Sequence, residues 1–147
     1  MKNLVIRTFR PKDEAHVINL WQQCGLIVPW NNPAADIQRK LSTSPDLFFV
    51  GLLDSEIVAS CMAGYDGHRG WIYFLAVTSA CQRQGFATKM VDHAEAALKK
   101  MGCPKIDLMI RNTNESVISF YRSIGYDTDP VVVLSKRLIK DEPHDYQ

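Results

Sequence analysis

The chain has 147 residues, 46% of them apolar and 22% charged, with a formal net charge of +1. That length suits one domain, residues 1–147, with a substantial core. So small a charge excludes a global pull towards nucleic acid or an anionic membrane, and no basic run interleaves with aromatics; neither partner is expected.

At the N-terminus, Leu4 and Ile6 alternate with Val5 and Arg7, and residues 4–9 read as a strand. Pro11 suits the first turn of a helix, with Asp13 and Glu14 at its positive end. Val17, Leu20, Trp21 and Cys24 recur at helical spacing until Gly25 stops the run. A loop through Pro29-Trp30-Asn31 follows. Asn32 caps a second helix, Pro33 lies in its first turn, and Ile37 and Leu41 form its apolar pair.

Residues 47–53 and 56–65 read as two strands joined across Asp54-Ser55. A glycine-rich loop, residues 64–70, leads to residues 71–77, nearly all apolar, as in a central strand covered on both faces. The stretch Gln82-Arg83-Gln84-Gly85-Phe86-Ala87 then hands over to a helix. Ala87, Met90, Val91, Ala94, Ala97, Leu98 and Met101 share one face of it, and Gly102 caps it. Residues 105–110 read as a strand, 114–124 as a helix stopped by Gly125, and 131–138 as a last strand before a polar tail from about residue 140. The order β-α-α-β-β-β-α-β-α-β predicts an α/β (α+β) fold. It has a single mixed, mostly antiparallel sheet of six to seven strands, flanked by helices on both faces.

Cys24, Cys61, Cys81 and Cys103 are scattered, with no Cys-x-x-Cys and no histidine at metal-ligand spacing. The pattern argues against a disulfide framework or a metal site and for reduced thiols in a cytoplasmic protein. Met1-Lys2-Asn3 leads straight into a strand, so neither a signal peptide nor a transmembrane span is expected.

The turn at residues 82–87 carries chemistry. The first amides of a helix have no intrahelical partner and lie at the positive end of its dipole, so they suit phosphate oxygens. Gly85 allows close backbone approach, and small Ala87 keeps the first turn open. An ordinary tight turn would explain the same residues. A nucleotide-binding P-loop does not fit, because Gly85-Phe86-Ala87-Thr88-Lys89 lacks its glycine–lysine spacing.

Leu75-Ala76-Val77 followed by Gln82-x-x-Gly85-x-Ala87 resembles the acetyl-CoA motif of the GNAT superfamily of N-acetyltransferases. Asn114, Phe120-Tyr121 and Gly125-Tyr126 follow as that superfamily's second signature. Pro29-Trp30-Asn31, the 64–70 loop and Gly102-Cys103-Pro104-Lys105 are similar to its bacterial YpeA-type group. The likeness covers almost the whole chain and implies a splayed cofactor cleft between central strands. It implies acetyl-CoA as co-substrate, no metal, and transfer of an acetyl group to a primary amine by direct attack in a ternary complex.

Residue by residue, the resemblance implies that Gln82, Arg83, Gln84, Gly85, Phe86, Ala87 and Thr88 hold the CoA pyrophosphate. Leu75 and Val77 would pair with the pantetheine arm, and Asn114 would contact it, although a helix cap is an equal role for that asparagine. Tyr121 would protonate the departing thiolate as general acid; it also lies on an apolar helix face, where packing alone would account for it. Ser79 and Cys81 depart from the usual proline and aromatic. No glutamate occupies residues 71–77, and residues 106–110 offer only Asp107, with Met109 facing the cleft by alternation.

Asp66, His68 and Tyr73 are the remaining base candidates, and a solvated loop accounts equally for the first two. A low-pKa amine or a chain of waters could dispense with a base. Trp30, Asn31, Tyr65, Asp66 and His68 are the expected acceptor-side residues. The acceptor, a small-molecule or peptide amine, stays unidentified, and a homodimer is among the assemblies the sequence allows. The missing carboxylate motivates one alternative, a non-catalytic acetyl-CoA or CoA-binding sensor or interaction module.

Overall fold

A computed structural model describes residues 3–146. The chain begins with β1 (Val5–Thr8), a 3-10 turn at Pro11–Asp13 and α1 (Glu14–Gln23). Next comes α2 (Pro33–Thr43), capped by the Asn32 side chain, which accepts a 3.2 Å bond from the Ala35 amide. The strands β2 (Phe48–Leu53), β3 (Glu56–Tyr65) and β4 (Gly70–Val77) follow in succession. The β2–β3 turn holds Asp54 and Ser55 at φ 49° and 69°. Two consecutive left-handed residues match the twist of the flanking strands, which is why a two-residue loop suffices. The chain continues with α3 (Phe86–Lys100), β5 (Ile106–Asp107) and α4 (Glu115–Ser123).

The strands lie in the order β1-β2-β3-β4-β5, antiparallel except for the parallel β4–β5 pair. Strand alternation sends side chains to two apolar layers. Phe49, Ala59, Cys61 and Ala63 pack with Met90, Val91, Ala94 and Leu98 of α3 and Tyr121 of α4 on one face. Phe48, Val50, Met62 and Ala76 pack with Val17, Trp21 and Ile37 of α1 and α2 on the other. The expected mixed, mostly antiparallel sheet with helices on both faces is the observed one.

Three expectations need correction. Among the described residues the sheet has five strands, not six or seven, and residues 131–138 belong to none of them. The β-branched run Val131-Val132-Val133 favours an extended chain, but a strand exists only where a ladder partner meets it. The strand expected at residues 105–110 is in the ladder only over Ile106–Asp107, so the cleft opens beside an edge strand rather than between central ones. Met101, placed on the buried face of α3, is exposed, because the helix ends beneath it at Lys100.

Among the described residues, no helix is long and apolar enough to cross a membrane. All four cysteines are free thiols, and burial pushes that of Cys61 up to about 12.

Candidate active site

β4 and β5 pair only at Gly70↔Ile106 and Trp71↔Asp107. Beyond that point the two segments diverge and leave a cleft of about 1020 Å³. Its walls are residues 72–77 of β4 on one side, Leu108–Arg111 and the first turns of α4 on the other, and the start of α3 at one end.

A bulge shapes the β4 wall. On β3, Ser60 and Met62 are two residues apart, but their partners Ala76 and Tyr73 are three apart, so β4 carries one extra residue. Phe74 takes φ 51°, a left-handed conformation that a bulky side chain adopts only when its surroundings impose it. Those surroundings are visible. The Phe74 ring stacks on Trp21 at 3.9 Å, the Ser60 hydroxyl donates to the Phe74 carbonyl at 2.8 Å, and the Trp21 indole N–H donates to Ser60 Oγ at 3.0 Å. Trp21 and Ser60 are fully buried. The relay takes the bulge carbonyl out of the ladder and fixes the wall facing the cleft.

At the other end, Arg83 and Gly85 both have positive φ, 63° and 78°, and Gly85 precedes the first turn of α3. No side chain caps that helix, and the first intrahelical bond runs from the Lys89 amide to the Gly85 carbonyl. The amides of Phe86, Ala87 and Thr88 are therefore unpaired donors at the positive end of a 15-residue helix. A Cβ on Gly85 would meet nothing within 4 Å, so its backbone is open to a ligand. This is an anion cradle at the mouth of the cleft.

Of the sequence-predicted cofactor residues, Leu75, Val77, Gln82, Arg83, Gly85, Phe86, Ala87, Thr88, Asn114 and Tyr121 line the cleft; Gln84 lies outside its lining. The Gln82 side chain is turned onto the strand, donating to the Val77 carbonyl at 3.1 Å, and Cys24 Sγ approaches the same oxygen at 3.4 Å. Asn114 accepts from the Val117 amide at 3.4 Å as the cap of α4.

Tyr121 is buried against Phe120 and Tyr126, and burial raises its phenol pKa above the ordinary value. The neighbouring Tyr126 hydroxyl donates to Glu95 at 2.6 Å, a bond no sequence pattern announced.

The acceptor-side expectations fare differently. Trp30, Asn31, Tyr65, Asp66 and His68 are not among the cleft-lining residues, whereas Tyr73 is. Asp66 braces its own turn: Oδ1 accepts from the amides of Arg69 and His68, and Oδ2 from the Trp71 indole. Those donors hold its carboxyl at about 2, so it does not take up a proton near neutrality. His68 is exposed on the same loop. Asn31 accepts from Arg137, and the Asn32 amide donates to Asp141, so this turn is engaged by the chain's own C-terminal residues. Trp30 approaches the cleft indirectly, its ring 5.8 Å from the Arg111 guanidinium. Arg83 and Arg111 are the charged residues of the lining, which includes no described carboxylate.

Residues 13–126 match the acetyltransferase (GNAT) family. The chain belongs to that family. A GNAT chain is an enzyme of the acyltransferase class. The chain is 46% identical over 140 residues to an acetyltransferase of Sodalis glossinidius, covering 95% of this chain and 99% of that one. It is equally identical, over 139 residues and with the same coverage, to an acetyltransferase of Pectobacterium atrosepticum. In fold it is similar to the aminoglycoside N-acetyltransferase AAC(6')-Iy solved with CoA, with a TM-score of 0.73 and 13% identity over 95% of this chain and 97% of that one.

Proposed function

We propose that this protein transfers the acetyl group of acetyl-CoA to a primary amine by direct attack within a ternary complex. The observation that carries the reading is convergence. The unpaired amides of α3, the bulged wall of β4 and Tyr121 all border one cleft. In that cleft the amides of Phe86, Ala87 and Thr88 hold the pyrophosphate of CoA, and the β4 wall at Leu75–Val77 aligns the pantetheine arm. A backbone N–H of the same stretch hydrogen-bonds the thioester oxygen as negative charge develops on it. Acetyl-CoA supplies an activated acyl group, so the protein contributes mainly position and charge stabilisation.

Burial keeps Tyr121 protonated, so its O–H is a hydrogen-bond donor for the leaving thiolate and passes its proton on only as the C–S bond breaks. No carboxylate takes the amine's proton. Tyr73 borders the cleft, but burial and then the nearby Asp66 charge raise its pKa, so it stays protonated. The positive Arg111 lowers the pKa of an ammonium beside it, which lets the acceptor lose one proton to water before attack; the attacking nitrogen releases its second proton to water as the intermediate collapses, and water returns a proton to Tyr121.

A screen of amino acids, small amines and peptide N-termini, read by release of free thiol from acetyl-CoA, tests the reading. One class giving stoichiometric acetylated product supports it. Tight binding of acetyl-CoA with no thiol release across all classes would overturn it.

A further inference from the structure

Two arginines border the cleft, and they stand at different places in it. Arg83 comes three residues before the first residue of α3, beside the anion cradle. Arg111 lies on the segment that continues β5, and its neighbours tell which way it points. Ile106, Leu108 and Ile110 pack with the α3 layer, so alternation sends Met109 and Arg111 to the opposite side of the sheet. The Arg111 guanidinium accordingly sits 5.8 Å from the ring of Trp30, in the loop between α1 and α2.

Apart from that ring, the Arg111 side chain has no hydrogen-bond or ion-pair partner among the described residues. The carboxylate that alternation puts on the same side, Asp107, is already matched by Lys105 at 3.5 Å and Arg69 at 3.9 Å. A guanidinium presents its donors in a planar fork that fits a carboxylate. One cation balances one negative charge, which a carboxylate carries and a phosphoryl group, at about −1.5 to −2, exceeds.

The rest of this side of the cleft is largely apolar, lined by Cys24, Leu26, Tyr73, Phe74 and Met109. Met109 is 50% and Tyr73 41% exposed, so apolar surface stands open beside the free guanidinium.

We propose that the acceptor is a free amino acid with an apolar side chain, its carboxylate forked by Arg111 and its side chain laid against Tyr73 and Met109. The inference rests on the acetyl transfer proposed above and names its substrate class. The amino group faces the β4 wall, and the nitrogen–acyl bond forms as the carbon–sulfur bond breaks. The amine's protons go to water, the departing thiolate takes the Tyr121 proton, and the products are an N-acetyl amino acid and CoA. Pairing with Arg111 also neutralises the carboxylate charge that otherwise holds a proton on the amine, so the acceptor loses it more readily. A polypeptide N-terminus brings no carboxylate next to its amine and leaves the fork empty.

Thiol release from acetyl-CoA by the full chain, with L-leucine, L-leucinamide and L-leucyl-glycinamide as acceptors, tests this. The three share a side chain, and only leucine has the carboxylate. Its kcat/KM should exceed the other two by about 100-fold, the worth of a charge-assisted fork. Arg111→Gln should erase that ratio, and Arg111→Lys should keep part of it, since a lysine retains the charge without the fork. Acetyl-CoA affinity, measured by calorimetry, should fall far less than the rate with leucine. Leucinamide acetylated as well as leucine, a ratio that survives Arg111→Gln, or a loss of acetyl-CoA affinity matching the loss of rate would each overturn the inference and leave the acetyl transfer standing. Thiol release with no acceptor of any class would overturn the transfer itself, and this inference with it.

Discussion

The Ser60 hydroxyl donates a 2.8 Å hydrogen bond to the Phe74 carbonyl, joining β3 to the one residue of β4 held in a left-handed conformation. Ser60 also accepts from Trp21, so a single buried hydroxyl serves two partners. Ser60→Ala strands an indole N–H and a carbonyl in the core. The expected cost is about 2 kcal/mol of stability, seen as a lower midpoint in urea. If the bulge also aims the oxyanion donor, turnover falls further than acetyl-CoA affinity; equal losses in both would assign Ser60 to stability alone.

Tyr121→Phe should lower turnover by about 10²-fold or more, the usual contribution of a positioned acid. Acetyl-CoA affinity by calorimetry should barely change, because the ring's packing against Phe120 and Tyr126 is retained. Wild-type turnover in the variant removes Tyr121 from the mechanism.

Alkaline pH has a definite sign. Burial raises the pKa of Tyr121; for Tyr126, burial and then the Glu95 hydrogen bond do the same. Below about pH 10 the folded and unfolded chains both keep these protons, and the stabilisation is fully present. Above that the unfolded chain releases protons that the folded chain retains, so stability falls as pH rises. Melting temperature should therefore drop across pH 10–11, and Tyr126→Phe should flatten the drop.

At acid pH the Arg7–Asp13 pair governs a second loss. Burial alone would raise the Asp13 pKa, but the Arg7 fork at 2.7 and 3.0 Å and the Arg10 amide at 2.8 Å together bring it below its ordinary value. The contribution is present above the unfolded value near 4 and disappears as pH falls through the folded one. Asp13→Asn should cost about 2 kcal/mol at neutral pH and progressively less as pH falls below the unfolded value near 4, a convergence that a series of urea titrations from neutral to acid pH would reveal.

Local rules carried much of this fold. Asn32 and Asn114 cap helices as their side-chain chemistry dictates, Asp54-Ser55 turns the hairpin, and Gly85 opens α3 where its spacing from the apolar strand placed it. What the sequence hid depends on contacts between distant residues. The Phe74 bulge has no local signature, because it is imposed by Trp21 and Ser60 from other elements. Asp66 looked like a free carboxylate until its three donors were in view, two of them amides of its own loop. The run 131–134 has every strand preference except a partner, and periodicity cannot supply one. The Asn31–Arg137 contact joins two segments that carry no common pattern.

Gly70 marks the narrow end of the cleft. A Cβ at this position would meet Cys103 Sγ at 2.8 Å, Leu98 Cδ1 of α3 at 3.1 Å and Ile106 Cγ1 of β5 at 3.3 Å, so α3, the loop after it and β5 all close on the β4 backbone there. The strands touch at Gly70 and Trp71 and separate beyond them. From Trp71 to Val77 the strand runs about 20 Å. A side chain at position 70 would press on Cys103 and Leu98 at the narrow end of the cleft, the full length of the strand away from the amides that open α3. The narrow end of the cleft is thus closed at the opposite end of β4 from the amides at its mouth.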